Sequence, residues 1–396
     1  MSGRINKVAI VSCYFQKNYG SALQALATQK ILDEYRIENV TVRYDGLEPQ
    51  IKKQKYKYYA KQLMNPEIVL GKLGYIKARI RKKFGKSKLS ESMRMRDDAI
   101  KAFEQNFRLS PKVNSFEEAA DFVRNYDAVL VGSDQLWLTS NLDADYYTLN
   151  WVPDGIKRIS YATSFGVSSL PKRYYPLAAN FLNKIDSLSV REETGKRIVK
   201  DICNRDAAVI CDPTIMFTGE EWLQIQKKEP LYGKKYIFCY FLGDNPDQRG
   251  FVKRLKKETG CDIVAILHLN VYVPSDERYA DCTPYEVDSA DFINYIRNAE
   301  YVCTDSFHAT VFSVLNKKKF FTFRRFKENY ILQTNSRLDS LLEAIGLENR
   351  ILNGAADARQ WAYTEIDYSN VDVKLNEMRA VNRKFLENAL GIEERS

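Results

Sequence analysis

The sequence predicts an α/β protein built from two parallel-sheet domains in tandem. Three observations carry that prediction. Apolar, β-branched runs of strand length alternate with stretches of helical periodicity; the alternation pauses once, near residues 218–234, and then resumes; and 396 residues are long for a single hydrophobic core.

The first strand is KVAIVSCYF (Lys7–Phe15), a buried-type run between polar flanks. It leads into a helix in which Ala22, Leu23, Leu26, Ala27 and Ile31 share one face. NVTVRYD is the second strand. Helical patterns follow around Ser92–Phe107 and Ser115–Arg124, and then strands at YDAVLVGSDQ, RISYATSFG, SLSVRE and AAVICDP with helical stretches between them. After the pause the second series runs strand YIFCYFLG, helix Pro246–Thr259, strand DIVAILH, helix SADFINYIRNA, strand YVCTD, helix SFHATVFSVLN and strand KKFFTF. These patterns predict an N-terminal Rossmann-like domain over 1–218 with a basic helical insertion at about 51–110, and a C-terminal Rossmann-like domain over 235–360. A final helix, 361–396, packs back on the first domain. Two such domains facing across a cleft make a GT-B-like arrangement.

Composition narrows the chemistry. With 45% hydrophobic and 28% charged residues the chain is an ordinary folded protein. Seven cysteines without a CxxC pair, and two histidines, supply no metal-ligand spacing. They predict no bound metal, and free thiols of a reducing compartment. The apolar run at the N-terminus is too short for a signal peptide and nothing later approaches a membrane span, which predicts a cytoplasmic protein. The net charge of +9 is concentrated: Ile51–Arg96 holds 15 Lys and Arg against two Glu. That stretch reads either as a solvated basic helix pair or as a contact for anionic membrane, holding the protein peripherally at the inner face. Nucleic acid is not expected, because no aromatic RNA-binding motif accompanies the charge.

Ligands of open parallel sheets bind off the carboxyl ends of the strands. The residues there are Asn18, Tyr19 and Gly20 after the first strand, and Gly132, Ser133, Asp134 and Gln135 after DAVLV. Ser164, Gly166, Arg191 and Asp212 follow the next three, and Asp305, Ser306 and His308 follow YVCT. No G-x-G-x-x-G, Walker A or G-x-S-x-G pattern is present, which argues against a dehydrogenase, a P-loop kinase and an α/β-hydrolase. His308 stands in the first turn of its helix with Asp305 or Ser306 as cap, where an imidazole meets an anion or passes a proton, or else packs as a half-buried side chain. Arg191 suits phosphate and carboxylate, or pairs with Glu192 or Glu193. Arg337 lies near a second helix start, with Arg324 and Arg325 as rivals. Asp134 is either a general base or a turn-forming carboxylate.

Seven stretches in this order resemble the polysaccharide pyruvyl transferase family: NYGSALQALA (Asn18–Ala27), YDAVLVGSDQLW (Tyr126–Trp137), SYATSFG (Ser160–Gly166), SLSVREETG (Ser187–Gly195), VICDPTIMF (Val209–Phe217), TDSFHATVFSVL (Thr304–Leu315) and SRLDSLL (Ser336–Leu342). The resemblance implies a GT-B-like fold and transfer of a pyruvyl group from phosphoenolpyruvate to a sugar of a bacterial surface polysaccharide, forming a ketal, with no cofactor. It implies that His308 is catalytic and that Arg191 and Arg337 hold the donor. In the same reading Ser306 stands on the donor side, where many members carry an Arg, and Asp134 activates the sugar hydroxyl. Asn18, Tyr19, Gly20, Gln24 and Gln135 line the acceptor, a sugar either free or linked to a lipid diphosphate. The rival readings are a nucleotide-sugar glycosyltransferase of the same fold and a non-catalytic scaffold in polysaccharide assembly.

Overall fold

The computed structural model describes residues 4–60, 88–268, 273–325 and 336–392. Within these the chain divides into two compact α/β units. Much of the basic stretch Ile51–Arg96, and with it the membrane-surface reading, lies outside the described residues. No helix among the described residues is long and apolar enough to cross a membrane.

The first unit contains a parallel sheet of β1 (Lys7–Val11), β2 (Glu38–Thr41), β3 (Ala128–Val131) and β4 (Lys157–Ser160) in the order β2-β1-β3-β4. Val8 lies opposite both Asn39 and Ala128. A short parallel pair, β5 (Ser189–Val190) and β6 (Ala208–Val209), is joined to it by single bridges at Ile159–Ser187 and Thr163–Val190. The chain leaves β1 for β2 on one side and returns to β3 on the other, so the sheet reverses direction between β1 and β3. The regular ladder of β4 ends at Ser160; Ala162, at φ +53°, turns the chain, and beyond it Thr163 keeps single bridges to Asp134 and Val190.

Helices follow from local signals. Asn18 caps α1 (Tyr19–Glu34), α2 covers Glu48–Ala60, and α3 (Lys88–Ala102) follows it among the described residues. Ser115 caps α4 (Phe116–Val123). α5 (Tyr175–Lys184) carries Pro in its first turn, and α6 (Glu193–Cys203) stops at Asn204 in the left-handed region, φ +53°. Trp137, fully buried, packs on Phe165 and Phe181 at centroid distances of 5.1 and 5.2 Å.

The second unit has one five-stranded parallel sheet. β7 (Tyr236–Tyr240), β8 (Asp262–Ile266), β9 (Tyr301–Thr304), β10 (Lys319–Phe323) and β11 (Ile351–Leu352) stand in the order β11-β10-β9-β7-β8. Its reversal falls between β7 and β9. α7 (Pro246–Thr259) is capped by Asn245 and ends at Gly260, φ +70°, while α8 (Ser289–Asn298) opens on an Asp288–Asp291 capping box. α9 (Phe307–Leu315) and α10 (Ser336–Ala344) complete the layers that bear on the site. Phe251, fully buried, meets Phe321 and Phe323 edge-on at 5.3 and 5.5 Å in the core.

Two segments join units against sequence order. α3 groups with the second unit, not with the first in which the insertion was expected. Its Arg96 donates to the carbonyls of Leu267 (2.5 Å) and Pro284 (3.2 Å), which fixes it there. The last helix, α11 (Tyr368–Leu390), belongs to the first unit from Leu375 onward. There Asn382 donates to the carbonyl of Cys211 at 3.0 Å, and the Leu390 carbonyl accepts the Ile5 N–H at 2.9 Å.

Replacing Phe251 by Ala removes the ring at the centre of the second core. Urea unfolding should show a loss of about 3–5 kcal/mol; a loss below about 1 kcal/mol would contradict this packing.

Candidate active site

In the first unit, loops from the carboxyl ends of β1, β3, β4, β5 and β6 bring a buried charged group together. Asn18 turns the chain into α1, its Oδ1 accepting the N–H groups of Gly20 (3.0 Å) and Ser21 (3.4 Å). Ser21 in turn donates its hydroxyl to Asp134 Oδ2 at 2.6 Å. Asp134 follows β3 with φ +85°, a conformation that costs a non-glycine residue about 1–3 kcal/mol and is characteristic of functional positions. It is held by the N–H of Gln135 on its own Oδ1 at 2.9 Å and by the Ser164 N–H on its carbonyl at 2.9 Å.

Arg191 lies at the centre of the group. Its Nη1 donates to Asp212 Oδ2 at 2.8 Å, its Nε lies 3.4 Å from Glu192 Oε1, and its Nη2 lies 3.8 Å from Asp134 Oδ1. Ser133 donates to Asp212 at 2.9 Å and Ser164 to Glu192 at 2.7 Å, so both buried carboxylates are hydrogen-bonded beyond the ion pair. Burial works against the Arg191 charge, and Glu192, Asp212 and Asp134 outweigh it, holding the guanidinium above its ordinary pKa. The side chains of Asp212 and Glu192 are 0% and 4% exposed, whereas Asp134 is 14% exposed. Asp134 is therefore the carboxylate of this group that reaches solvent. Cys13, which touches Asp134 at 3.7 Å, is no nucleophile: burial, then Asp134, pushes its thiol well up.

The expected acceptor residues are placed unevenly. Asn18 and Gly20 form the cap, and Tyr19 is buried at the helix start. Gln24 is fully enclosed, its Nε2 on the Ser21 carbonyl (2.9 Å) and near Cys13 Sγ (3.5 Å). It supports the wall and does not line it. Gln135 is half-buried against Gly166, whose φ of +67° favours glycine there.

In the second unit the group forms where β7, β9 and β10 end. Asp305, directly after β9, accepts the N–H of Leu242 on Oδ1 (2.7 Å) and of Gly243 on Oδ2 (2.8 Å). A Cβ on Gly243 would stand 2.9 Å from both Asp305 Oδ2 and Arg325 Cγ. Arg325 donates from Nη2 to the Asp305 carbonyl at 3.3 Å, with Nε 3.8 Å from the carboxylate. Ser306 is the cap of α9, its Oγ accepting the Ala309 N–H at 3.4 Å. His308 follows in the first turn, 5% exposed. Phe307 links it to the next cation: its ring meets the imidazole edge-on at 5.2 Å and lies 5.8 Å from the Arg337 guanidinium. Arg324 is exposed and paired with Asp339 at 2.9 Å, away from this group.

Arg325 and Ser21 were the residues least legible beforehand. Arg325 was one of two adjacent rivals, and Ser21 sits three residues past a helix cap with nothing in its own type to mark it. All seven cysteines are free thiols, and the described residues hold no cluster of three metal-ligating side chains.

Arg191→Leu leaves Asp212 and Glu192 buried without their cation. Denaturant unfolding of the variant should show a loss of about 3–5 kcal/mol, and an unchanged midpoint would show that the group does not depend on the ion pair.

A family model described as polysaccharide pyruvyl transferase matches residues 18–325, a span that includes both groups except Arg337. A search of curated proteins gave no match. Among solved structures the chain is similar to a UDP-GlcNAc 2-epimerase from Neisseria meningitidis bound to UDP-GlcNAc, at 12% identity, TM-score 0.48, covering 96% of this chain and 99% of that one. It is similar also to a putative UDP-N-acetylglucosamine 2-epimerase from Listeria monocytogenes, at 12% identity and TM-score 0.49, covering 100% and 98%. E. coli heptosyltransferase WaaC with ADP-2-deoxy-2-fluoro heptose matches at 13% identity and TM-score 0.38, covering 85% and 99%. With the family model spanning most of its length, this chain belongs to the polysaccharide pyruvyl transferase family.

Proposed function

We propose that the protein moves a pyruvyl group from phosphoenolpyruvate to two hydroxyls of a polysaccharide sugar, forming a cyclic ketal. The observation that carries this reading is the second unit's group: His308 in a helix first turn, with Arg337 against the same Phe307 and Arg325 beside the preceding Asp305. A donor with a phosphate and a carboxylate calls for guanidinium groups and helix N–H donors.

The reaction forms two C–O bonds to the donor's C2 and breaks one to phosphate. Two hydroxyl protons are released; one ends on the methylene carbon, making it a methyl group, and the other leaves with phosphate. In this reading His308 delivers the proton to the methylene carbon as the first hydroxyl attacks C2, and Asp134 takes that hydroxyl's proton. Arg337 and Arg325 hold the donor anions. Arg325 supplies the cation that Ser306, engaged as a helix cap, does not. Arg191 is the further donor-side cation of this reading, its guanidinium held in place by Asp212 and Glu192. The acceptor is a sugar on a lipid-diphosphate carrier, and the enzyme works at the inner membrane face.

Phosphoenolpyruvate should raise the melting temperature at concentrations where uridine and guanosine diphosphate sugars leave it unchanged; the opposite order would favour nucleotide-sugar glycosyl transfer. With a panel of lipid-diphosphate-linked sugars, His308→Ala should lower ketal formation at least 100-fold. Turnover at the wild-type rate would remove the central assignment.

A further inference from the structure

The chain's other histidine also stands at a strand end. His268 comes two residues after β8, on the same carboxyl edge of the second sheet as Gly243 and Asp305. Its Nδ1 lies 2.7 Å from Asp276 Oδ2, and its backbone N–H donates to the same oxygen at 3.2 Å. The other oxygen of Asp276 takes Arg249 Nε (3.2 Å) and Nη2 (2.7 Å). Arg249 is anchored by the Asn245 carbonyl at 3.3 Å, and its guanidinium carbon lies 4.6 Å from the ring of Phe241, the residue after β7. The Arg249 and Asp276 side chains are 3% and 9% exposed, His268 17%. The imidazole is thus the member of the relay that opens toward solvent.

This is the arrangement that turns a histidine into an oriented base. A buried carboxylate on Nδ1 fixes the Nδ1–H tautomer and leaves the Nε2 lone pair pointing away from it. Asp276 is itself committed as an anion: burial opposes its charge, but the bonds from His268 and Arg249 outweigh burial and hold it below the usual carboxylate range. The other charged or titratable groups nearby are Arg96, which donates to the neighbouring Leu267 carbonyl, and Tyr279, buried beside Arg249 and Asp276. β8 and β9 are two strand spacings apart, about 10 Å, so His268 and His308 share one edge without competing for one atom.

We infer that His268, held by the Asp276–Arg249 pair, is the proton acceptor for the second sugar hydroxyl, the one whose attack closes the ketal ring. The inference rests on the ketal-forming reading above. Once phosphate has left, the cationic C2 has two fates. It bonds to the second hydroxyl oxygen as that proton passes to His268 Nε2, giving the ketal; or its methyl group loses a proton, giving an open enolpyruvyl ether. The two products have the same composition and differ in their vinyl protons.

The test is product analysis by proton NMR for the wild type, His268→Gln and Asp276→Asn, with phosphoenolpyruvate and the panel of lipid-diphosphate-linked sugars. His268→Gln should lower ketal formation about 100-fold and release vinyl ether in its place, while the melting-temperature rise with phosphoenolpyruvate stays as in the wild type. Asp276→Asn, which removes the carboxylate that holds the ring by Nδ1, should shift the product from ketal toward vinyl ether in the same sense as His268→Gln, with the melting-temperature rise again unchanged. A wild type that makes ketal and a His268→Gln variant that matches it would overturn this inference alone, as would parallel loss of both products. A wild type that leaves phosphoenolpyruvate intact would remove the ketal reading and this inference together. Independently of any variant, a nitrogen-15 histidine spectrum of the wild type, with two histidines to assign, should show His268 protonated on Nδ1; a neutral Nε2–H tautomer would overturn the inference.

Discussion

The two hydrogen bonds that Asp305 accepts from the N–H groups after β7 fix the edge of the second unit where the candidate residues stand. A carboxylate enclosed to 0% side-chain exposure is tolerated only when both oxygens are engaged, and the ends of β7 and β10 supply the partners. That clamp ties the two strands between which the sheet reverses, demands glycine at position 243, and sets where the chain after β9 turns. Ser306 can then cap α9, and His308 falls in the first turn and not on a later one.

The first unit repeats this plan with a different outcome. Asp134 stands after the strand next to the reversal, as Asp305 does, but its partners are a serine hydroxyl from α1 and a guanidinium, and it retains an outlet to solvent. One aspartate is a structural clamp and the other a candidate base. Charge separates the groups further. One guanidinium stands among three carboxylates around Arg191. Near His308 two guanidinium groups stand, Arg325 on the Asp305 carbonyl and Arg337 over the Phe307 ring.

Much of this was legible in the sequence because buried parallel strands are written as apolar, β-branched runs, and the residues after them follow directly. Asp134, Arg191, Asp305, Ser306 and His308 were all reached that way. What could not be read were partnerships between side chains distant in sequence. Nothing near Asp212 announces that it receives Arg191, 21 positions away. Gln24 shared a helix with Asn18, but only packing shows that it is sealed. The sequence reads His268 as the last residue of the strand DIVAILH and not as a residue beyond it; β8 ends at Ile266, and the pairing with Asp276, backed by Arg249, appears only when α7 and the chain after β8 come together. The place of α3 was likewise hidden, since two hydrogen bonds from Arg96 to carbonyls 171 and 188 positions away decide it.

The measurement that bears most directly on the proposed chemistry is turnover in heavy water. If the methylene carbon of phosphoenolpyruvate takes its proton from a solvent-exchanging imidazole, the ketal made from unlabelled donor must carry one deuterium in its methyl group, seen as a single mass unit and a CH2D resonance. A sugar product without that deuterium, or one carrying no pyruvyl unit, would contradict the account.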